Sequence, residues 1–179
     1  MREIRTERLL LRQWRPSDRE LFANMNADPR VMEFFPGLLS SEESDATVER
    51  IEHHWNKHGF GPYAVEVTAD RTFAGFVGLM VPSIEAHFTP CVEIGWRLSV
   101  NYWGHGFATE AARAVVRHAF DVLGLEDLVS MTVPGNVRSR HVMEKLGMTR
   151  DPADDFDHPK VPEGHPLRRH LLYRLRKSN

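Results

Sequence analysis

The segment that most constrains the fold is a strand that ends in a glycine-bearing turn and leads directly into a long helix. Residues 92–100 alternate apolar and polar side chains, which is the period of a half-buried strand. The turn carries Gly104 and Gly106, and the apolar positions of residues 107–123 follow helical spacing. Small turn residues let backbone N–H groups reach a ligand, and the unpaired amides of a helix N-terminus attract phosphate oxygens. This predicts a phosphate site, with a plain turn that needs glycine for its backbone angles as the alternative.

Two common nucleotide-binding motifs do not fit this segment. A Walker loop needs a Gly-Lys pair, and the sequence contains none. A dinucleotide-binding fingerprint needs Gly or Ala where Thr109 stands, and it opens the first βαβ unit of a domain instead of following three strands. The pattern therefore favours a phosphate-bearing ligand of another class.

Periodicity and turn signals predict short elements along the rest of the chain. Strands are expected at residues 9–14, 63–68, 72–81, 92–100, 128–133 and 170–176, with a further short strand at 148–150. Ser17 or Asp18 is expected to cap the first helix, and the run Ser40-Ser41-Glu42-Glu43 is a good capping sequence for the second. Two further helices are expected to begin near Phe107 and Val137. Residues 151–169 form an irregular polar stretch whose length is typical of functional or mobile loops. The order of elements indicates an α+β (mixed α/β) fold in one domain spanning residues 1–179.

Charge and cysteine content exclude several classes of protein. The chain has 23 Lys and Arg against 25 Asp and Glu, and a net charge of −2 attracts neither nucleic acid nor an anionic membrane. Cys91 is the only cysteine, so no disulfide framework is expected and the cytoplasm is the natural compartment. Residues 2–8 are charged where a secretory signal needs its apolar core, and no apolar run approaches the roughly 18 residues that span a bilayer.

The histidines give no metal signal. His54 and His58 are four residues apart on a predicted helix, but no third ligand is recognisable nearby, so a solvated helix face is expected there. His158, His165 and His170 lie in or beside the long late stretch, where contact with a substrate is conceivable. No metal ion is expected to take part in the function.

Five segments in the order of the chain carry the strongest functional signal. They are residues 6–12 (Thr-Glu-Arg-Leu-Leu-Leu-Arg), 73–79 (Phe-Ala-Gly-Phe-Val-Gly-Leu), 93–98 (Glu-Ile-Gly-Trp-Arg-Leu), 102–111 (Tyr-Trp-Gly-His-Gly-Phe-Ala-Thr-Glu-Ala) and 136–148, which begins Asn-Val-Arg-Ser and ends Glu-Lys-Leu-Gly-Met. Together they resemble the GNAT superfamily of acetyl-CoA-dependent N-acetyltransferases, and within it the RimJ/RimL-like branch, whose members acetylate N-terminal amines of ribosomal proteins. The resemblance implies a twisted, mixed, mostly antiparallel sheet of six to seven strands, with about four helices on its two faces.

The resemblance also implies where acetyl-CoA, the acetyl donor, binds. The turn and the start of the helix would hold its pyrophosphate through the backbone of Gly104, His105, Gly106, Phe107, Ala108 and Thr109. The strand edge at Trp96 and Leu98 would pair with the pantetheine arm, and the Leu98 N–H would polarise the thioester carbonyl. Asn136 and Ser139 would lie along the same arm near the sulfur. Both also suit the start of a helix, where Asn136 would be a cap and Ser139 a capping or surface residue.

Two positions depart from the wider superfamily pattern. Trp103 stands where many members have Gln or Arg, although an aromatic residue suits the RimJ/RimL-like branch. Met143 stands where many relatives carry a tyrosine that protonates the leaving thiolate, and a thioether has no proton to give. The proton would then come from Ser139 or water, or the thiolate would leave without a dedicated acid.

The chemistry of the transfer favours a particular class of acceptor. Attack on a thioester needs a neutral amine, a polarised carbonyl and a route for protons. An α-amino group with a pKa of 7.7–8.0 is about 10–20% neutral at pH 7, whereas a lysine with a pKa near 10.4 is neutral only about once in 2,500. A protein or peptide N-terminus is therefore the leading acceptor. The alternatives are a small amine (a polyamine, an amino acid or an antibiotic) and a non-catalytic acyl-CoA-binding module, and a monomer or a homodimer is expected.

Candidate residues for proton transfer and acceptor binding follow from position. Glu93 points off the apolar face of its strand and is the candidate base, directly or through water, with a solvated or salt-bridged residue as the alternative. Ser139 is the candidate for support of the leaving thiolate. Phe34 and Phe35 lie on the loop between the first two helices, which lines the acceptor cleft in relatives, and core side chains are the alternative.

Overall fold

The computed structural model describes residues 3–177, which form one mixed sheet with helices on both faces. The strands are β1 (Ile4–Arg5), β2 (Leu9–Arg12), β3 (Pro62–Val67), β4 (Thr72–Met80), β5 (Glu93–Leu98), β6 (Asp127–Thr132), β7 (Thr149–Arg150), β8 (Phe156–Asp157) and β9 (Arg169–Arg176). The helices are α1 (Asp18–Asn26), α2 (Ser41–His58), α3 (Phe107–Asp121) and α4 (Val137–Lys145). The strand order is β1-β2-β3-β4-β5-β6-β9-β7, with β8 paired to β9. Among the strands of residues 3–177, only β5 and β6 pair in parallel, and the other neighbouring strands are antiparallel.

The expected mixed fold is confirmed, but the expected count of six to seven strands is too low. The structure has nine, because β1 and β8 add two strands of two residues each. A strand this short shows no alternation that a sequence pattern could reveal. The expected short strand at residues 148–150 is present as β7.

Alternate residues of the central strands pack on opposite faces of the sheet. Val65 and Val77 belong to the core beneath α3, whereas Ala64 and Phe76 belong to a second core that includes Phe22 of α1. This alternation is the period of two expected of a strand. Both faces are apolar at the centre of the sheet because each is covered by a helix.

The stretch of residues 151–169 is more ordered than its composition indicates. It contains a 3-10 turn at Pro152–Asp154 and the strand β8, and the His158 N–H donates to the Arg168 carbonyl at 2.8 Å. Arg174 of β9 also pairs with Asp154, at 2.7 Å. The stretch is therefore not irregular throughout, since ion pairs and β8 hold it against β9.

His54 is not the solvated residue that the sequence favours. It is half-buried, and both of its ring nitrogens are hydrogen-bonded, Nδ1 to the Phe60 carbonyl at 2.9 Å and Nε2 to the Val81 N–H at 2.9 Å. A carbonyl only accepts and an amide N–H only donates, so the ring is neutral with its proton on Nδ1. Burial lowers the pKa of His54, in keeping with this neutral form. Among residues 3–177 no group of His, Cys, Asp and Glu side chains is arranged to hold a metal ion.

A buried ion cluster joins α1 to the sheet. The Arg12 guanidinium donates to both carboxylate oxygens of Asp18, at 2.7 and 2.8 Å, and to Glu66 at 2.7 Å. Asp18 also accepts from the Arg15 N–H at 2.7 Å. Both oxygens of the Asp18 carboxylate are thus hydrogen-bonded to Arg12 or Arg15. Ser17, the residue at the N-cap of α1, makes no side-chain capping bond. The expected cap by Ser17 or Asp18 is therefore wrong, whereas the capping box of Ser40 and Glu43 at α2 is confirmed.

Replacing Asp18 by alanine tests how much the ion cluster stabilises the fold. Arg12 is 3% exposed, so the substitution leaves a buried cation short of its bidentate partner. We expect Asp18→Ala to lower the free energy of unfolding in urea by about 3–5 kcal/mol. The matched control is Asp45→Ala, which removes a half-exposed carboxylate from Arg19 and costs about 0–1 kcal/mol. Equal losses in the two variants would contradict this account.

Candidate active site

The cleft of the protein opens where β5 and β6 separate. The two strands share one bridge, between Glu93 and Val129, and the structure described for residues 3–177 contains no second one. Past this bridge the β5 edge faces a cleft of about 490 Å³, which Trp96 and Leu98 help to line. Backbone polar groups on such an edge need a partner, either solvent or a ligand. The opening therefore presents a strand edge on which an extended ligand can lie.

The glycine turn stands at one end of this cleft. Gly104 and Gly106 have φ angles of +79° and +81°, in the left-handed region that favours glycine. Gly106 is the N-cap of α3 and offers no side chain to its first amides. The N–H groups at the start of a helix lack partners within the helix, so those of α3 can bind an anion. The turn residues that line the cleft are Gly104, Gly106, Phe107, Ala108 and Thr109.

His105, the remaining residue of the expected cofactor set, is oriented differently. It is exposed and is absent from the cleft lining, and its ring stacks on Phe107 at 5.5 Å. Its carbonyl accepts a hydrogen bond from Arg8 at 3.0 Å, and Arg8 is itself held by Glu110 of α3. The position of the turn thus depends on an arginine from the first residues of the chain.

A basic groove continues from the glycine turn. Four basic side chains outnumber two acidic ones, Glu7 and Glu110, in its lining. The basic residues are Arg8, Arg113, Arg117 and Lys145, and Thr6, Gly106 and Thr109 complete the lining. Arg113 donates to the Lys145 carbonyl at 3.1 Å, which joins α3 to the end of α4. These cations were not singled out from the sequence. The signal that could have revealed them is the spacing of Arg113 and Arg117, which are one helical turn apart on the helix that follows the glycines.

Glu93 lies in the cleft beside the bridge between β5 and β6. Ile94 and Leu98 are buried in the core, and Glu93 points away from them, so the predicted alternation of this strand is confirmed. Burial raises the pKa of Glu93 to about 7. No Lys or Arg of the described chain lies within ion-pair distance, so the salt-bridged alternative is wrong. A carboxylate with this pKa can accept a proton near neutral pH.

Phe34 and Phe35 line the cleft from the loop between α1 and α2. Phe35 is 36% exposed, and its ring centre lies 4.0 Å from the Arg97 guanidinium carbon. Phe34 is half-buried and approaches Arg138 of α4, with 5.9 Å between ring centre and guanidinium carbon. The alternative of core side chains is therefore wrong for both. Arg97 is a cleft residue that was not singled out, although the strand alternation places it on the face of Glu93.

The start of α4 forms another wall of the cleft. Asn136 caps the helix, since its side-chain oxygen accepts from the Ser139 N–H at 3.1 Å, and both residues also line the cleft. Met143 is completely buried in the core and is absent from the lining. The residue at the place of the family's tyrosine is thus a packing residue in this chain.

Comparison with known proteins identifies the family. A family model described as an acetyltransferase (GNAT) domain matches residues 8–149. The chain belongs to the GNAT acetyltransferase family. It is an acetyl-CoA-dependent N-acetyltransferase, and the enzyme class expected from its motifs is confirmed. No helix within residues 3–177 of this GNAT chain is long and apolar enough to cross a membrane.

Individual relatives agree with this assignment. The protein YkkB of Bacillus subtilis is 30% identical over 144 residues, which cover 80% of this chain and 83% of YkkB. FsC-acetyl coenzyme A-N(2)-transacetylase of Aspergillus fumigatus is 33% identical over 157 residues, which cover 82% of this chain and 64% of that protein. Among solved structures, a GNAT-family acetyltransferase from Bacillus anthracis has a TM-score of 0.80 and 25% identity, with 98% of each chain covered.

Replacing Gly106 by valine tests the phosphate-binding turn. A branched side chain is strained at a φ of +81°, and its Cβ would lie 3.6 Å from the guanidinium of Arg8, which holds the turn. We therefore expect Gly106→Val to weaken acetyl-CoA binding at least tenfold, or about 1.4 kcal/mol. The measurement is the acetyl-CoA concentration needed to raise the thermal midpoint. Gly124→Val is the control, because Gly124 has a φ of +69° beyond the far end of α3. Equal acetyl-CoA affinities in the two variants would remove the phosphate assignment.

Proposed function

We propose that this GNAT enzyme transfers acetyl from acetyl-CoA to a primary amine by direct attack in a ternary complex. A protein or peptide N-terminus is the leading acceptor, as in the RimJ/RimL-like branch. The observation that carries the proposal is the opening between β5 and β6, which joins the glycine turn to the half-buried Glu93. Acetyl transfer to a panel of peptides and amines, followed by thiol release and mass spectrometry, tests it.

The residues of the cleft fit acetyl-CoA along its length. The amides at Gly104 and Gly106 and the start of α3 suit the pyrophosphate, and the adjacent groove with Arg113 and Lys145 suits the remaining phosphate. The open β5 edge suits the amide-containing pantetheine arm, which can extend the strand as a peptide would. In this placement the thioester lies beside the β5 edge, within reach of the Leu98 N–H and of Ser139.

The reaction divides among a few groups. The amine nitrogen attacks the acetyl carbonyl carbon, a new C–N bond forms, and the C–S bond breaks to release the thiolate of coenzyme A. The proton lost by the ammonium group passes to Glu93, directly or through water. The Leu98 N–H stabilises the oxyanion that forms at the carbonyl. Hydrogen bonding from Ser139 supports the thiolate, because Met143 has no proton and is buried away from the cleft.

The acidity of Glu93 matches the proposed acceptor. The pKa of about 7 of this carboxyl group is close to the pKa of 7.7–8.0 of an α-ammonium group and far from the pKa of 10.4 of a lysine.

The small-amine alternative draws support from the Aspergillus fumigatus relative, whose name describes an N(2)-transacetylase. A module without turnover would give neither thiol release nor an acetylated product.

The cysteine content fits the proposed location in a reducing cytoplasm. The chain has a single cysteine, Cys91, and burial raises the pKa of its thiol to about 11.

Replacing Glu93 by glutamine separates chemistry from binding. We expect Glu93→Gln to lower kcat at pH 7 by roughly 10²-fold, with acetyl-CoA affinity nearly intact. In the parent enzyme kcat rises with pH through about 7, because the base is the deprotonated carboxylate. The loss shrinks at higher pH as free amine accumulates. Glu126→Gln, at an exposed position outside the cleft, is the control, and an unaltered kcat in Glu93→Gln would remove the assignment.

A pair of substitutions on α4 tests how the thiolate leaves. A hydrogen bond to charge that develops in a dry site is worth about 1–3 kcal/mol, so we expect Ser139→Ala to lower kcat by about 5-fold to 10²-fold. Met143→Leu preserves core volume, and we expect it to change kcat by less than about twofold. Steady-state kinetics with a saturating acceptor measures both. If Met143→Leu lowered kcat strongly and Ser139→Ala left kcat unchanged, the proposed position of the coenzyme A sulfur would be on the wrong side of α4.

A further inference from the structure

Arg97 is a cation in the acceptor part of the cleft whose hydrogen-bonding capacity is not used up. Its Nη1 donates to the Asn26 side-chain oxygen at 2.7 Å. Its Nε is buried and has no hydrogen-bond partner among residues 3–177, and no carboxylate of that part of the chain lies within 4.0 Å of the guanidinium. A buried charged group without a full set of partners costs free energy. Such a group therefore points to a partner that is not part of the chain.

The guanidinium is held in a fixed orientation. Asn26 is completely buried and donates to the Ser44 hydroxyl at 2.9 Å, which leaves its carbonyl oxygen facing Arg97. The Phe35 ring stacks on one side at 4.0 Å, and Phe76 lies 5.6 Å away. Because Asn26 takes Nη1 and the surrounding side chains cover Nε, Nη2 is the guanidinium nitrogen that remains for a ligand in the cleft. A carboxylate oxygen is an acceptor with which arginine forms strong, charge-assisted hydrogen bonds.

Two other arginines of the cleft differ from Arg97 in this respect. Arg30 pairs with Asp28 at 2.6 Å, and Arg138 pairs with Glu33 at 2.8 Å. Each is already neutralised by a carboxylate of the chain itself. Burial also lowers the pKa of Arg97 to about 10, which leaves it a cation at neutral pH.

Arg97 and the candidate base occupy one face of one strand. Residues 93, 95 and 97 of β5 share that face, and the Cα atoms of Glu93 and Arg97 are about 13 Å apart at the rise of a strand. Gly95 stands between them without a side chain, and the end of the flexible Met80 side chain lies there, 3.5 Å from where a Cβ of residue 95 would stand. Glu93 and Arg97 both line the cleft, so an acceptor that spans the two can meet Glu93 with its amine and Arg97 with a second group.

We propose that Arg97 binds a carboxylate of the acceptor, so that the enzyme acetylates amines that also carry a carboxylate group. The inference rests on the proposed function and narrows its substrate class. A free amino acid and a peptide with an acidic side chain near its N-terminus share this chemistry. A polyamine, which brings only positive charge to Arg97, is excluded as the preferred acceptor.

The test compares acceptors that differ only in one carboxylate. One pair is alanine and alaninamide, and the other is a peptide that begins Ala-Glu and its Ala-Gln counterpart. In at least one pair we expect the kcat/KM of the acid to be at least tenfold above that of its amide, mainly because the acid has the lower KM. The pair that shows this difference identifies the source of the carboxylate. In Arg97→Gln the ratio falls to within twofold of one. In Arg97→Lys it is intermediate, because lysine keeps the charge but loses the contacts of the planar guanidinium with Asn26 and Phe35. Arg138→Gln, at the paired arginine, keeps the parent ratio.

A binding measurement separates failure of this inference from failure of the proposed function. The N-acetylated forms of both pairs are titrated by calorimetry into the enzyme with coenzyme A present, a readout that needs no turnover. We expect the acid of the selective pair to bind at least tenfold tighter than its amide in the parent enzyme, with the difference lost in Arg97→Gln. If no amine is acetylated, the proposed function fails, and these affinities still decide the role of Arg97. Equal binding of acid and amide in both pairs, or a polyamine as the best acceptor, would overturn the inference even if Arg97→Gln does not fold.

Discussion

The parting of β5 from β6 after a single parallel bridge is the constraint on which the rest of the site depends. Backbone groups inside a sheet are satisfied by a neighbouring strand, and those of β5 beyond Glu93 lose that neighbour. A gap of this kind inside an otherwise continuous sheet is stable only if water or a ligand takes the place of the missing strand. The elements around it, α3 at one end and the loop before α2 at the other, leave room for a ligand of that shape.

The geometry of the glycine turn could be predicted from the sequence because it depends on the backbone. Glycine favours left-handed angles, the start of a helix carries unpaired amides, and the spacing of Gly104 and Gly106 is visible in a single sequence. The long central strands and the four helices were equally visible through their periods. Strands β1 and β8 were not, because two residues cannot show a period and their pairing depends on distant partners.

The part of the cleft where the acceptor is proposed to bind could be predicted less well from the sequence, because it depends on tertiary contacts. The alternation along β5 places Arg97 beside Glu93, but its contact with Asn26 joins residues 71 positions apart. Asp18 was expected to cap a helix, since no local signal shows that Arg12 takes both of its oxygens. His54 was expected in solvent, but it accepts a hydrogen bond from the N–H of Val81, which lies just after β4. In each case a polar side chain with an ordinary local role is hydrogen-bonded to a partner outside its own helix or strand.

The absence of a side-chain cap on α3 ties the stability of the enzyme to the ligand that binds there. An oxygen-bearing residue commonly satisfies the first amides of a helix, whereas α3 begins at a bare glycine. If the donor binds as proposed, one of its phosphate groups takes the place of the missing cap on a helix that packs in the centre of the core. Any ligand that binds only the folded protein adds to its stability in proportion to the logarithm of its concentration. On that proposal, a fall in acetyl-CoA concentration raises the fraction of unfolded enzyme.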